Sequence, residues 1–141
     1  MGKVFGQPLT LVVIDLKENM KYINVRISGI PYAKAKTRGN VNGPKEWTNA
    51  IIEQTQGLPD VNGPCTLRVT FLLPPDKYPP DFPYGPDIDN FLKRLQDALN
   101  ETVFKNAPGG DSCIISLEAS KVKVNTTEES GAHLEILPHN I

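Results

Sequence analysis

Apolar and polar residues follow two different periods along this chain. The run Leu9-Thr10-Leu11-Val12-Val13-Ile14 is rich in β-formers and Tyr22–Ile27 alternates, with the polar stretch Asp15–Met20 between them. That pattern predicts a hairpin whose second strand ends at Gly29-Ile30-Pro31. Cys65–Leu73 reads as a strand entered through Asn62-Gly63-Pro64. Cys113–Val124 reads as a long strand with Ile115, Leu117 and Ala119 on one face. After the polar turn Thr126–Gly131, Ala132–Leu137 closes as a short strand. Helical spacing appears twice. Lys45–Gln56 places Trp47, Ala50 and Ile51 on one side, and Gly57 and Pro59 end it. Ile88, Phe91, Leu92, Leu95, Ala98, Leu99 and Val103 predict a second helix over about 88–101.

The order of elements, two strands, helix, strand, helix, two strands, predicts an α+β fold. A single domain over 1–141 is expected, with a mixed or antiparallel sheet of four to five strands and two main helices. No internal repeat or linker interrupts it. Trp47, the only tryptophan, sits at helix spacing among apolar residues and reads as core rather than as a base-stacking platform.

Composition narrows the class. A hydrophobic share of 39% and a charged share of 22% are those of an ordinary soluble globular protein. No apolar run approaches the roughly 20 residues of a membrane span, and the N-terminus shows no signal-peptide pattern, so a cytoplasmic protein is expected. Cys65 and Cys113 are too few for a disulfide framework and lack metal-ligand spacing. They read as small buried strand residues. His133 and His139, in or after the last strand and without partners, read the same way.

A net charge of −1 excludes a generic DNA-coating protein. The distribution says more than the sum. Residues 1–50 carry eight Lys or Arg against three acids, and 51–141 carry seven against thirteen. Cations beside an acidic pocket suit a metal-dependent nuclease, which grips phosphates with one and a divalent ion with the other. Solvated faces that merely segregate by charge are the plainer explanation. Lys34, Lys36 and Arg38 alternate in a Gly- and Asn-rich segment that reads equally as a phosphate-gripping arm or as an exposed loop.

The chemistry concentrates in Gly85-Pro86-Asp87-Ile88-Asp89-Asn90-Phe91-Leu92-Lys93, at the mouth of the second helix. Either aspartate could cap the helix, and each is favoured by the helix dipole by about 0.3–1 kcal/mol. Capping accounts for one acid more readily than for two acids, an Asn and a Lys. Asp87 still lies in the loop, so both carboxylates can turn to one point, and Lys93, one turn beyond Asp89, can reach it too. On spacing alone both readings stand. Six prolines in residues 74–86 make a stiff lead-in to this helix, along which Tyr78, Phe82 and Tyr84 could line the approach. Such a run could also bind an SH3-like partner.

Several motifs together resemble the RusA family of Holliday junction resolvases: Pro86-Asp87-Ile88-Asp89-Asn90-Phe91-Leu92-Lys93, then Asp97-Ala98-Leu99-Asn100, then Gly110-Asp111-Ser112-Cys113-Ile114-Ile115, then Lys121. The resemblance is close over about 88–121 and loose elsewhere. It implies a Mg²⁺-dependent homodimer cleaving four-way DNA junctions in recombination and repair, with Mn²⁺ a possible substitute. By position it implies Asp87, Asp89 and Asp111 as the metal-binding cluster, Lys93 as the catalytic lysine, and Lys121 as a DNA-binding residue alongside Lys34, Lys36 and Arg38. The chain departs from the family in the turn before Asp111, where Gly110 replaces the first acid of a doubled pair, Cys113 the usual Gln, and the loop is a few residues longer. The first strand has no clear counterpart.

The expectation carried forward is that three carboxylates from two loops converge on one divalent ion over a DNA phosphate. Competing expectations are a structure-selective nuclease on branched or flap DNA, a non-catalytic junction-binding module of the same fold, and a proline-loop adaptor with no DNA affinity.

Overall fold

Five strands and two helices form where the two hydrophobic periods place them. The structure is a computed structural model, and it describes residues 11–17, 20–32, 42–75 and 87–139. In chain order the elements are β1 (Leu11–Lys17), β2 (Met20–Ser28), α1 (Asn42–Thr55), β3 (Cys65–Leu73), α2 (Ile88–Leu99), β4 (Ile114–Lys123) and β5 (Gly131–Pro138). The predicted β3 is matched residue for residue. The other bounds shift by a few positions, and Leu9 and Thr10 of the first predicted strand lie outside the described residues. So do Lys34, Lys36 and Arg38 and most of the proline-rich stretch with Tyr78, Phe82 and Tyr84.

One five-stranded sheet runs in the order β1-β2-β5-β3-β4. The β1–β2, β2–β5 and β5–β3 pairs are antiparallel, and β3–β4 is parallel, with Phe71 opposite Lys121 and Leu73 opposite Lys123. The mixed sheet and two helices are those the sequence predicts. A parallel pair needs a crossover, and α2 supplies it.

Alternation decides which face is covered. Ile23, Val25 and Ile27 of β2, Leu67, Val69, Phe71 and Leu73 of β3, and Leu134 and Ile136 of β5 are buried. Against them pack Trp47 and Ile51 of α1 and Phe91, Leu95, Ala98 and Leu99 of α2, forming one core. Phe71 stacks on Phe91 with ring centroids 5.2 Å apart, which fixes the first turn of α2 over β3. Trp47 is core as expected, at 1% exposure.

The opposite face of the sheet is polar and internally bonded. The Tyr22 hydroxyl donates to Glu135 Oε2 at 2.5 Å, Arg68 bridges Glu118 and Glu135, and His133 Nε2 meets Asn24 Oδ1 at 2.7 Å. Both histidines therefore differ from expectation. His133 is exposed on this face, and His139 bonds Thr66 through Nε2. A second difference lies in β4. Ile115 and Leu117 are 55% and 45% exposed on β4, the edge strand. Gly131 shows where the sheet depends on a missing side chain. Its φ is +150°, and a Cβ there would lie 2.0 Å from the Ile27 carbonyl oxygen, so β5 could not approach β2 with any other residue.

Candidate active site

The acid pair sits at the start of α2 as the sequence predicts, and the structure removes its simplest explanation. Asp87 occupies the N-cap position, with extended backbone (φ −68°, ψ 145°), yet its side chain makes no capping hydrogen bond. The helix begins instead on the Asp87 carbonyl, which accepts from Asn90 N and Phe91 N at 3.1 and 3.4 Å. Asp87 and Asp89 are both exposed, and neither carboxylate has a hydrogen-bond partner among the described residues. Lys93, one turn on, is exposed too and forms no ion pair with Asp89 among the described residues. Two carboxylates and an ammonium thus stand at one helix end without a polar partner among the described residues, in the positive field of the helix dipole.

Lys121 is brought to this same end. It pairs with Phe71, whose ring lies on Phe91 in the first turn of α2. Lys123 follows two residues later on the same face. One group that sequence reasoning passed over completes the neighbourhood. Arg94 donates to the Pro44 carbonyl at 3.3 Å and to Thr48 Oγ1 at 2.8 Å, which ties the start of α1 to the middle of α2. Its only sequence signal was a cation facing a helix start across the core, which no periodicity reveals.

Asp111 lies elsewhere. It opens a 3-10 turn at Gly110–Cys113, and its N–H donates to Asn100 Oδ1 at 2.9 Å, beside the C-terminal end of α2. At 1.5 Å per residue the 12-residue helix is about 18 Å long. Asp87 and Asp89 stand at one end of it and Asp111 at the other. Among the described residues no group of three His, Cys, Asp or Glu is placed to hold a metal ion. Within a single chain the structure does not bring the three carboxylates together. The reason is topological: in a β3–α2–β4 crossover the helix runs back along the sheet, so the turn entering β4 is at the Cys65 end, opposite the end where β3 delivers the chain to Asp87.

The departures in the Asp111 turn have a local cause. Gly109 and Gly110 both have positive φ, +78° and +61°. A Cβ on Gly110 would lie 2.9 Å from Asn100 Oδ1, the acceptor that holds Asp111. An acid in place of Gly110 would have to hold left-handed backbone and displace the Asn100 amide. Cys113 also departs from expectation: it ends the turn before β4 and is half-buried, while Cys65 is fully buried. Burial, with the neighbouring Cys113 thiol, pushes the Cys65 thiol up to about 12, and burial raises Cys113 as well.

Exposed hard-oxygen donors beside a lysine and further cations are of the kind a phosphodiester hydrolase uses. The family comparison agrees: the family model for the RusA endodeoxyribonuclease matches residues 32–136. The chain belongs to the RusA endodeoxyribonuclease family and is a nuclease. The match begins after β2, so the β1–β2 hairpin lies outside it. A comparison with curated proteins gives no match. Among the described residues no helix is long and apolar enough to cross a membrane.

Proposed function

We propose that this protein is a Mg²⁺-dependent endodeoxyribonuclease that resolves four-way DNA junctions as a homodimer, in recombination and repair. The observation that carries the proposal is the pair Asp87 and Asp89, held at a helix start without a capping bond and one turn from Lys93, which has no ion-pair partner among the described residues. Family membership supports the nuclease class and junction DNA as substrate.

The donors suit Mg²⁺, which takes one or two carboxylates and keeps several waters. Asp87 and Asp89 would hold it, with Mn²⁺ a possible substitute. Asp111, a helix length away in its own chain, would complete the set only if a second copy brought it there. Bound there, the ion would activate water and offset charge on the scissile phosphate. The chain's own residues do the rest. Lys93 offsets developing charge or protonates the leaving 3′ oxygen. Lys34, Lys36, Arg38 and Lys121 hold the phosphate backbone, a contribution that weakens steeply with salt. A four-way junction has two-fold symmetry, and a two-fold dimer offers one site to each of two opposed strands.

The test compares an immobile four-way junction with linear, flap and single-stranded DNA, with and without Mg²⁺. Paired nicks in the junction alone are expected. Asp89→Asn should abolish cleavage while leaving junction binding largely intact. Equal cleavage of flaps would replace junction resolution by general action on branched DNA. No metal-dependent nicking of any substrate would overturn the proposal.

A further inference from the structure

On the face of the sheet away from the helices, the strand register sets side chains in rows. Arg26 lies opposite His133, His133 opposite Thr70, and Thr70 opposite Ser120, so one row crosses β2, β5, β3 and β4. Their chain neighbours Val25, Ile27, Leu134, Val69 and Phe71 are buried in the core, and alternation therefore turns this row outward. Every side chain in the row can donate a hydrogen bond, and none is an acid. The row behind it differs. Asn24, Glu135, Arg68 and Glu118 follow one another there, with Glu118 bonded to Arg68 and Glu135 to both Arg68 and Tyr22.

The outer row keeps its donors available. Arg26 is anchored through Nη2 to the Glu129 carbonyl and forms no ion pair among the described residues. A guanidinium has more N–H groups than that one bond uses. The Thr70 and Ser120 hydroxyls have no hydrogen-bond partner among the described residues. Asn24 Nδ2 donates to the Tyr22 oxygen at 3.0 Å, so Asn24 Oδ1 is the acceptor and His133 Nε2 donates to it at 2.7 Å. That bond steadies an exposed ring between Arg26 and Thr70. Asn24, Arg26, Thr70, Leu72 and His133 line a shallow depression of about 350 Å³. Toward the sheet margin the next row holds Gly131, without a side chain, beside Leu72 and Val122, so nothing charged closes that side.

We infer that the row Arg26, His133, Thr70 and Ser120 binds the phosphate backbone of a junction strand, as a second DNA contact on the sheet face opposite the helices. This rests on the resolvase reading and adds a site to it. Position supports it first. Thr70 and Ser120 immediately precede Phe71 and Lys121, which face the helices at the Asp87 end. The row thus lies behind the catalytic end, and a strand leaving Lys93 and Lys121 over the sheet margin at Leu73 and Lys123 meets it. Length supports it next. Three strand spacings of about 4.8 Å separate Arg26 from Ser120, roughly 14 Å, whereas one free phosphate would touch only part of such a row. At one phosphate per about 3.4 Å of axis in each strand, the row matches about four nucleotides. Charge sets the track. Glu118 and Glu135 outnumber Arg68 in the row behind, so a polyanion is kept to the outer row, where Arg26 has no acid beside it.

Junction affinity measured over a salt series tests this on the full chain. Arg26→Gln should weaken binding about tenfold at low salt and make the slope of log affinity against log salt shallower by about one, the loss of one phosphate contact. Its cleavage rate at saturating junction should stay that of wild type, because the row is remote from the reacting phosphate. Arg26→Lys keeps the charge and should restore the slope. Ser120→Glu, at an exposed position, should weaken binding by a similar factor and provides the readout should Arg26→Gln not fold. Arg68→Gln/Glu118→Gln removes a cation together with its bonded acid and should leave the slope unchanged. Millimolar inorganic phosphate at matched ionic strength should not compete. Folded Arg26→Gln or Ser120→Glu that binds the junction as wild type does overturns the second contact, as does an Arg68→Gln/Glu118→Gln variant impaired as much as Arg26→Gln. Competition by inorganic phosphate overturns the DNA strand as occupant. Failure of wild type to bind or cleave any junction defeats the resolvase reading itself, and this contact with it.

Discussion

Replacing Gly110 by alanine probes the geometry that holds Asp111, and its cost can be worked out in parts. At φ +61° an alanine pays about 1–2 kcal/mol for left-handed backbone. Its Cβ would stand 2.9 Å from Asn100 Oδ1, so the amide must shift and the Asp111 N–H bond weakens, a further cost of about 1 kcal/mol. The sum, about 2–3 kcal/mol, should lower the melting temperature by roughly 6–10 °C in a chain of this length while leaving the protein folded at 25 °C. Asn100→Ala loses only the hydrogen bond and should cost about 1 kcal/mol. The two effects share one atom. In the double variant there is no amide to displace, so its loss should be about 1 kcal/mol smaller than the sum of the singles. Thermal melts followed by circular dichroism on the four proteins measure this cycle directly. Strictly additive losses, or a Gly110→Ala melting temperature within about 2 °C of wild type, would refute the account of the turn.

Other consequences can be checked with the same material. Phe91→Ala removes a fully buried ring that stacks on Phe71, and should cost about 3–5 kcal/mol in a urea titration, with loss of cleavage following the loosened helix start. The Cys65 thiol has an ordinary value of 9.0 and is raised by burial to about 12, so folding favours its neutral form. Its stabilising effect is complete below pH 9 and is lost as pH rises from 9 toward 12. Urea midpoints should fall over that window in wild type and fall less in Cys65→Ala, and equal slopes would show the thiol is not the cause. Mg²⁺ at several millimolar should raise the melting temperature of wild type, since a ligand bound only to the folded state stabilises it. In Asp87→Asn/Asp89→Asn that rise should disappear, and an unchanged rise would place the ion elsewhere.

The sequence carried the fold through two periodicities. Alternation at Tyr22–Ile27 and Cys65–Leu73, and the helical stripe from Ile88 to Leu99, placed the core directly, because burial of one face is what writes the pattern. The edge strand was not legible in the same way. Ile115 and Leu117 are apolar like core residues, and nothing local distinguishes a strand covered by a helix from one left at the margin. The site was legible where its residues are neighbours in the chain, at Asp87, Asp89 and Lys93. Asp111 was recognisable by resemblance, but its location was not, because spacing along the chain does not say that β3 and β4 run parallel. That single topological fact sends Asp111 to the other end of α2. Asn100 and Arg94 were invisible as contacts, since each acts on a partner 11 to 50 residues away.

The helix between the two acid-bearing ends also works as a ruler. Adding or removing one residue within Ile88–Leu99 would change its length by about 1.5 Å and swing one end by about 100° relative to the other. Such a change would misalign the carboxylates however well the core repacked. Length can vary safely only in the turns, such as the one between Asn106 and Gly110.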